Sequence, residues 1–270
     1  RRSDGGRRGA MSEAKATVLL QHYLKQLKLP SFLREYEKLA TVCQQQRDDY
    51  QTYLLRLAEV ETAARERRAA ERRVKAARFP VLKTLDTFDF KAQPALNQEL
   101  VRQLLRGEYM DQRENVLLIG NSGTGKTHLA TALAFAACQQ GRSVRFFSAT
   151  SLVTQLLEKR QDRELERFQK QLERLDLLVL DELGYVPFTK EGGELLFQVL
   201  AERHERGSVI ITTNLGFASW TQVFGDPNMT AALLDRLTHK AHIIECSWES
   251  YRLRQSLKEV DKRTGKTIPV

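Results

Sequence analysis

Gly120-Asn121-Ser122-Gly123-Thr124-Gly125-Lys126-Thr127 is the stretch that decides the reading of this 270-residue chain. It fits the pattern G-x-x-x-x-G-K-[ST] in full, and its context agrees. An apolar run at 116–119 precedes it, and Leu129, Leu133 and Ala137 follow at helical spacing, so the string reads as the turn of a strand–loop–helix unit. Glycines let such a loop curl until its amide groups face one point, and the following helix adds partial positive charge there. That chemistry cradles phosphates. Gly120, Asn121, Ser122, Gly123, Thr124, Gly125 and His128 are candidate nucleotide contacts. Lys126 is expected to place a point charge on the β- and γ-phosphates, and the Thr127 hydroxyl to ligate Mg²⁺. The tail repeats the last triplet as Gly265-Lys266-Thr267 but has no earlier glycine, strand or helix around it, and reads as a flexible end.

Working outward, Leu177-Leu178-Val179-Leu180-Asp181-Glu182 is an apolar strand ending in two acids. Asp181 would emerge at the strand's carboxyl end, where it can hold the Mg²⁺ water shell, and Glu182 would orient the attacking water. A third run, Val209-Ile210-Ile211-Thr212-Thr213, delivers Asn214 to the same edge. Its amide can bond both γ-phosphate and water; a turn-forming Asn is the other reading. Phosphoryl transfer needs mainly positioning and charge stabilisation, so this set predicts nucleoside triphosphate hydrolysis by Lys126, Asp181, Glu182 and Asn214.

Short apolar strands at 116–119, 144–148, 177–180, 209–213 and 242–246 alternate with helices expected near 126–140, 151–173 and 191–206. Continuous apolar strands between helices predict a parallel sheet covered on both faces. The region before it is different. Residues 1–10 carry four Arg and three Gly ahead of Met11 and read as tag or upstream sequence. Residues 11–78 read as a small helical domain, with Leu24, Leu27, Phe32, Tyr36 and Leu39, then Tyr50, Leu54, Leu57 and Val60, at helical intervals. Residues 79–97 form a linker, 98–258 the α/β domain, and 259–270 a tail.

Lys and Arg outnumber Asp and Glu by 43 to 34, for a net charge of +9. That balance suits a polyanion such as nucleic acid. Arg65, Arg68, Arg72 and Lys75 fall on one helical stripe, available to a phosphate backbone or to neighbouring acids. Lys159, Arg160, Arg163 and Arg167 are interleaved with Glu158, Asp162, Glu164 and Glu166, so a DNA-facing helix and a solvated one both fit. The longest nearly unbroken apolar run, 129–138, is too short for the roughly 20 residues of a membrane span. With no secretory signal pattern either, a cytoplasmic bacterial location is expected. Cys43, Cys138 and Cys246 lie far apart and predict reduced, buried thiols. His239 and His242 make only a weak case for a metal.

Thr84-Leu85-Asp86-Thr87-Phe88-Asp89-Phe90, Gly125-Lys126-Thr127-His128-Leu129-Ala130, Leu180-Asp181-Glu182-Leu183-Gly184-Tyr185, Leu234-Asp235-Arg236-Leu237-Thr238-His239 and Ser250-Tyr251-Arg252 together resemble the IstB family of transposition helper ATPases. The DnaC helicase loaders share much of the pattern, and both groups belong to the AAA+ initiator clade. The resemblance covers roughly 80–255. It implies a five-stranded AAA+ sheet with little or no C-terminal lid, preceded by the small all-helical domain. It also implies ATP and Mg²⁺ bound between neighbours of a homo-oligomer on double-stranded DNA, with an IstA-like transposase as partner and no membrane. Arg236 would be the finger reaching the next subunit's γ-phosphate, a helix-surface Arg being the other reading. Phe88 would lie near the adenine, and Arg252 would be a candidate nucleotide sensor.

The leading expectation is an ATPase that assembles on duplex DNA and targets a transposase. A DnaC-like loader acting on single-stranded DNA and a replicative helicase is the alternative enzyme. A nucleotide-gated DNA scaffold with incidental hydrolysis is the alternative of another class. A small-molecule P-loop kinase lacks any evident acceptor-binding or lid segment.

Overall fold

The computed structural model describes residues 5–248, 250 and 251, with side chains from Lys15 onward. Arg252, the triplet at 265–267 and the tail at 259–270 lie outside the described residues. The chain divides into two compact units at Glu71/Arg72.

The first unit is helical: α1 (Gly5–Gln26), α2 (Pro30–Gln46) and α3 (Tyr50–Ala77), which runs across the division. Helix α1 therefore starts within the stretch the sequence reading set aside as tag or upstream sequence. Pro30 opens α2, where its missing N–H and fixed φ suit a first turn. Leu24, Cys43, Leu57 and Ala64 form the buried interior. Leu27, Tyr50 and Leu54, which share the helical periodicity, are exposed instead. Glu61, almost fully buried, accepts from the Ser31 backbone N–H at 2.8 Å and pairs with Arg65 at 2.8 Å, while Arg65 also donates to the Lys28 carbonyl.

The second unit contains α4 (Gln98–Leu105), α5 (Glu108–Asp111), β1 (Asn115–Gly120), α6 (Lys126–Gln139), β2 (Val144–Ser148), α7 (Ala149–Gln161), α8 (Leu165–Glu173), β3 (Leu177–Leu183), α9 (Lys190–Arg203), β4 (Ser208–Thr213), α10 (Thr221–Phe224), α11 (Pro227–Thr238) and β5 (Ala241–Cys246). All five strands are parallel, in the order β2-β3-β4-β1-β5. Alternate side chains of each strand serve opposite faces. Val116, Leu118, Val179 and Ile210 pack with Leu129, Leu133 and Ala137 of α6 on one face. Leu117, Leu178, Leu180 and Ile211 pack with residues of α7, α9 and α11 on the other. Both faces are covered, which is why the strands read as unbroken apolar runs.

The single helix expected at 151–173 is two. Helix α7 ends at Gln161 and α8 starts at Leu165. Arg163 takes a left-handed conformation with φ 60°, the Glu164 N–H reaches the Lys159 carbonyl, and the Arg163 N–H reaches that of Arg160. This is a Schellman ending, which satisfies the last carbonyls of α7 and turns the chain.

Two buried polar residues pin the sheet's amino end. Arg203 donates to the carbonyls of Leu172, Leu175 and Ser208, and burial brings its pKa down to about 10. Asn115 accepts from the Val209 N–H at 3.0 Å and donates to the Leu237 carbonyl at 3.0 Å, joining β1 to β4 and α11. Asn115→Leu keeps the volume but leaves both backbone groups without partners. It is expected to destabilise the fold by about 2–4 kcal/mol, seen as a lower midpoint in urea unfolding with an unchanged slope; an unchanged midpoint would refute the pinning role.

Candidate functional site

The phosphate loop joins the carboxyl end of β1 to the first turn of α6, and its shape follows from its glycines. Gly123 and Gly125 have φ of 81° and 93°, which L side chains rarely adopt. A Cβ on Gly123 would meet the Ser250 hydroxyl at 2.0 Å, and one on Gly125 the Phe88 ring at 3.0 Å. The loop is therefore closed in on both sides, by the segment after β5 and by the linker before β1. The Trp248 indole N–H donates to the Thr124 carbonyl at 2.8 Å, and the Tyr251 backbone N–H donates to that of Gly123 at 2.9 Å. Lys126 is nearly buried, with its ammonium 2.7 Å from the Gly120 carbonyl and 2.6 Å from that of Asn121.

Asp181 is buried at the end of β3, and its Oδ1 accepts from two hydroxyls. Thr127 of α6 donates at 2.9 Å and Thr212 of β4 at 2.5 Å. The next residue departs from the regular ladder. Pairing runs from Leu180 opposite Ile211 to Leu183 opposite Thr213, so β3 holds one residue more than β4 over that interval. The extra residue makes a bulge, and Glu182 lies in it with φ 60°. A non-glycine residue held there costs of order 1–3 kcal/mol, and bulges next to sites re-aim side chains. The Glu182 N–H is held by the Thr212 hydroxyl at 2.9 Å, and its side chain is exposed on the cleft. Thr213 accepts from the Leu215 N–H and donates to the Leu183 carbonyl, which fixes the chain on either side of the exposed Asn214.

These groups border one cleft of ≈ 250 Å³. Ser122, Gly123, Gly125, Lys126 and Thr127 line it, with Glu182, Thr212 and Asn214. Thr87, Phe88, His128 and Tyr251 line it too. His128 straps the linker to α6: its Nε2–H donates to the Thr84 carbonyl at 2.8 Å and sits 3.2 Å from the Thr87 hydroxyl. Burial lowers its pKa from the ordinary histidine value, Lys83 adding to the effect and the Thr84 carbonyl opposing it. Chemically, the cleft offers a loop of amide donors with a lysine at one end. Beside it lies an all-oxygen donor set from Thr127 and Asp181, suited to a hard divalent cation.

The remaining candidates lie elsewhere. Arg236 stands off the cleft, with its guanidinium 5.4 Å from the Phe197 ring centre and beside Asn115 and Leu237 at the other end of the sheet. In the first unit, Arg65 is committed to Glu61, and Arg68 is half-buried. In the second, Arg72 and Lys75 are exposed. Lys159 pairs with Glu164 and Arg160 with Glu191, whereas Arg163 and Arg167 are exposed. All three cysteines are buried, and burial pushes Cys138 to about 11 and Cys246 to about 12. His242 faces Glu114 at 2.8 Å, and His239 lies near His204 and Glu205.

Sequence reasoning did not single out Thr212 or Trp248. Thr212 shows only as one β-branched residue of a strand, and its tie to Asp181 depends on register. An indole N–H a few residues beyond the last strand carries no local motif.

The family of IstB-like ATP binding proteins matches residues 22–259. A protein of insertion sequence IS21 from Pseudomonas aeruginosa, named for ATP binding, is 38% identical over 251 residues, 93% of this chain and 94% of that one. Its counterpart in insertion sequence IS5376 of Geobacillus stearothermophilus is 34% identical over 244 residues, 90% and 97% of the two chains. Among solved structures, the DnaC helicase loader superposes with a TM-score of 0.52 at 23% identity, covering 60% of this chain and 95% of that one. That likeness concerns the fold, which is of the AAA+ kind. Similarity of this depth along nearly the whole length leaves one family for the sequence: the chain belongs to the IstB-like ATP-binding proteins.

Proposed function

We propose that this protein is a Mg²⁺-dependent ATPase that assembles on duplex DNA, with ATP at the contacts between copies, and directs an IstA-like transposase in DNA transposition. The observation that carries the reading is the convergence of Lys126, Thr127, Asp181, Glu182 and Asn214 on one edge of the sheet. The insertion-sequence relatives supply the biological setting.

In this reading the loop amides and Lys126 hold the β- and γ-phosphates. Thr127 and Asp181 hold Mg²⁺, which supplies charge neutralisation at the phosphates when bound. Glu182, lifted by its bulge, orients the attacking water, and Asn214 steadies the γ-phosphate. Arg236 acts on the neighbouring copy, since it stands off its own cleft; fingers of this kind are worth roughly 10³–10⁵ in turnover. ATP binding stabilises the assembly on DNA, and hydrolysis resets it. Arg68, Arg72, Lys75, Arg163 and Arg167 remain the candidates for phosphate-backbone contact, with Arg65, Lys159 and Arg160 also engaged in ion pairs.

The test is ATP-dependent assembly on duplex and single-stranded DNA, followed by mobility shift at stated salt, since phosphate-driven binding falls steeply with salt. Assembly on duplex should require ATP, fail in Lys126→Ala and persist in Glu182→Gln. A clear preference for single strands would instead indicate a helicase loader. Full transposition activity in Glu182→Gln would indicate a scaffold in which hydrolysis is incidental. Thr212→Val gives a finer check. It removes one hydroxyl from Asp181 and the acceptor of the Glu182 N–H, so kcat for ATP is expected to fall about 10- to 100-fold while nucleotide affinity changes by less than about threefold. An unchanged kcat would show that Thr212 has no part in positioning the acids.

A further inference from the structure

Gln93 lines the same cleft from the linker side, and its side chain is only 2% exposed. Its backbone is set on both sides. Asp89 caps the short 3₁₀ turn Phe90–Ala92 by accepting from the Lys91 and Ala92 N–H groups. The Gln93 N–H then donates to the Phe90 carbonyl at 3.0 Å, and its own carbonyl accepts from the Leu96 N–H at 3.1 Å. Gln93 Oε1 is buried and has no donor among the described residues.

Buried acceptors normally have partners, and one without a partner on the wall of a ligand cleft is a ready-made reader of a ligand donor. Its surroundings narrow the donor's chemistry. Phe88 stands edge-on to Phe90 and to His128, with centroids 5.0 and 5.2 Å away, and forms an aromatic wall on this side of the cleft. Phe88 also closes against Gly125 of the phosphate loop, so this wall adjoins the phosphate-binding groups. The Phe88 ring with a buried acceptor on the same linker fits a flat heterocycle that carries an exocyclic amine.

We propose that Gln93 Oε1 accepts a hydrogen bond from the 6-amino group of adenine and so makes this cleft select ATP over 6-oxopurine nucleotides. Guanine and hypoxanthine carry an oxygen at that position and would bring two acceptors together in the amide orientation the structure shows. A site that hydrogen-bonds a substrate donor rejects analogues lacking it, because its own polar group is then left unpaired. The inference rests on the nucleotide reading of the cleft and adds the residue that reads the base.

The test is equilibrium binding of ATP, ITP and inorganic tripolyphosphate to the full chain, by displacement of a fluorescent ribose-labelled ADP. ITP is the informative analogue because its base differs from adenine in carrying a 6-oxo group, with N1 protonated, in place of the amine. The wild type should bind ATP about tenfold or more tightly than ITP. Gln93→Leu should bring the two within about twofold while leaving tripolyphosphate affinity unchanged, which also shows that the variant is folded. Gln93→Glu, with two acceptor oxygens and no amide to turn towards a 6-oxo group, should keep the preference or widen it. Equal binding of ATP and ITP by the wild type, or a full preference retained in Gln93→Leu, would overturn the assignment. Tripolyphosphate bound through Lys126 without base preference would overturn it alone. No binding of ATP or tripolyphosphate at all would overturn the nucleotide reading with it.

Discussion

One carboxylate oxygen, Asp181 Oδ1, receives hydroxyl hydrogens from α6 and from β4 at once. Packing, sheet hydrogen bonds and the Thr213 hydroxyl's bond to the Leu183 carbonyl also join these elements. Those forces fix the layers but leave side chains at the strand ends free to turn. Hydrogen bonds to a charged acceptor are stronger than neutral ones and fix direction as well as distance. Thr212 does this twice, through its hydroxyl to Asp181 and through the same oxygen to the Glu182 N–H. The acids at the mouth of the cleft therefore hold their positions through the neighbouring strand.

A second level of order comes from the segments flanking the core. The linker and the stretch after β5 are not part of the sheet, yet both touch the phosphate loop. His128 ties the first and Trp248 the second. The cleft wall is thus built from four separate stretches of the chain, 83–93, 122–128, 182–185 and 212–214, with Tyr251 closing the set. This arrangement gives the α/β sheet a concave ligand site.

Much of this was legible in the sequence because the signals are local. Five apolar runs marked the strands to within a few residues, and the phosphate loop identified itself by eight consecutive positions. What escaped depends on register and on three-dimensional closure. The bulge at Glu182 exists only relative to β4, and nothing in Asp181-Glu182-Leu183 announces it. The break between α7 and α8 hides in a charged stretch where left-handed Arg163 carries no glycine signal. Gln93 sits in a linker with no motif. Leu27, Tyr50 and Leu54 keep the helical period yet are exposed, because periodicity reports a face and not what covers it.

The bulge has one more consequence. Glu182 occupies a backbone conformation that the fold would hold more easily with asparagine or glycine. Either of those two residues would relieve the strain, and neither removes the hydrogen bonds that Lys126 and Trp248 make to the phosphate loop. The position therefore trades backbone ease for an acid on the cleft: a residue better suited to this turn would make the bulge easier to hold and would leave the cleft without its exposed carboxylate.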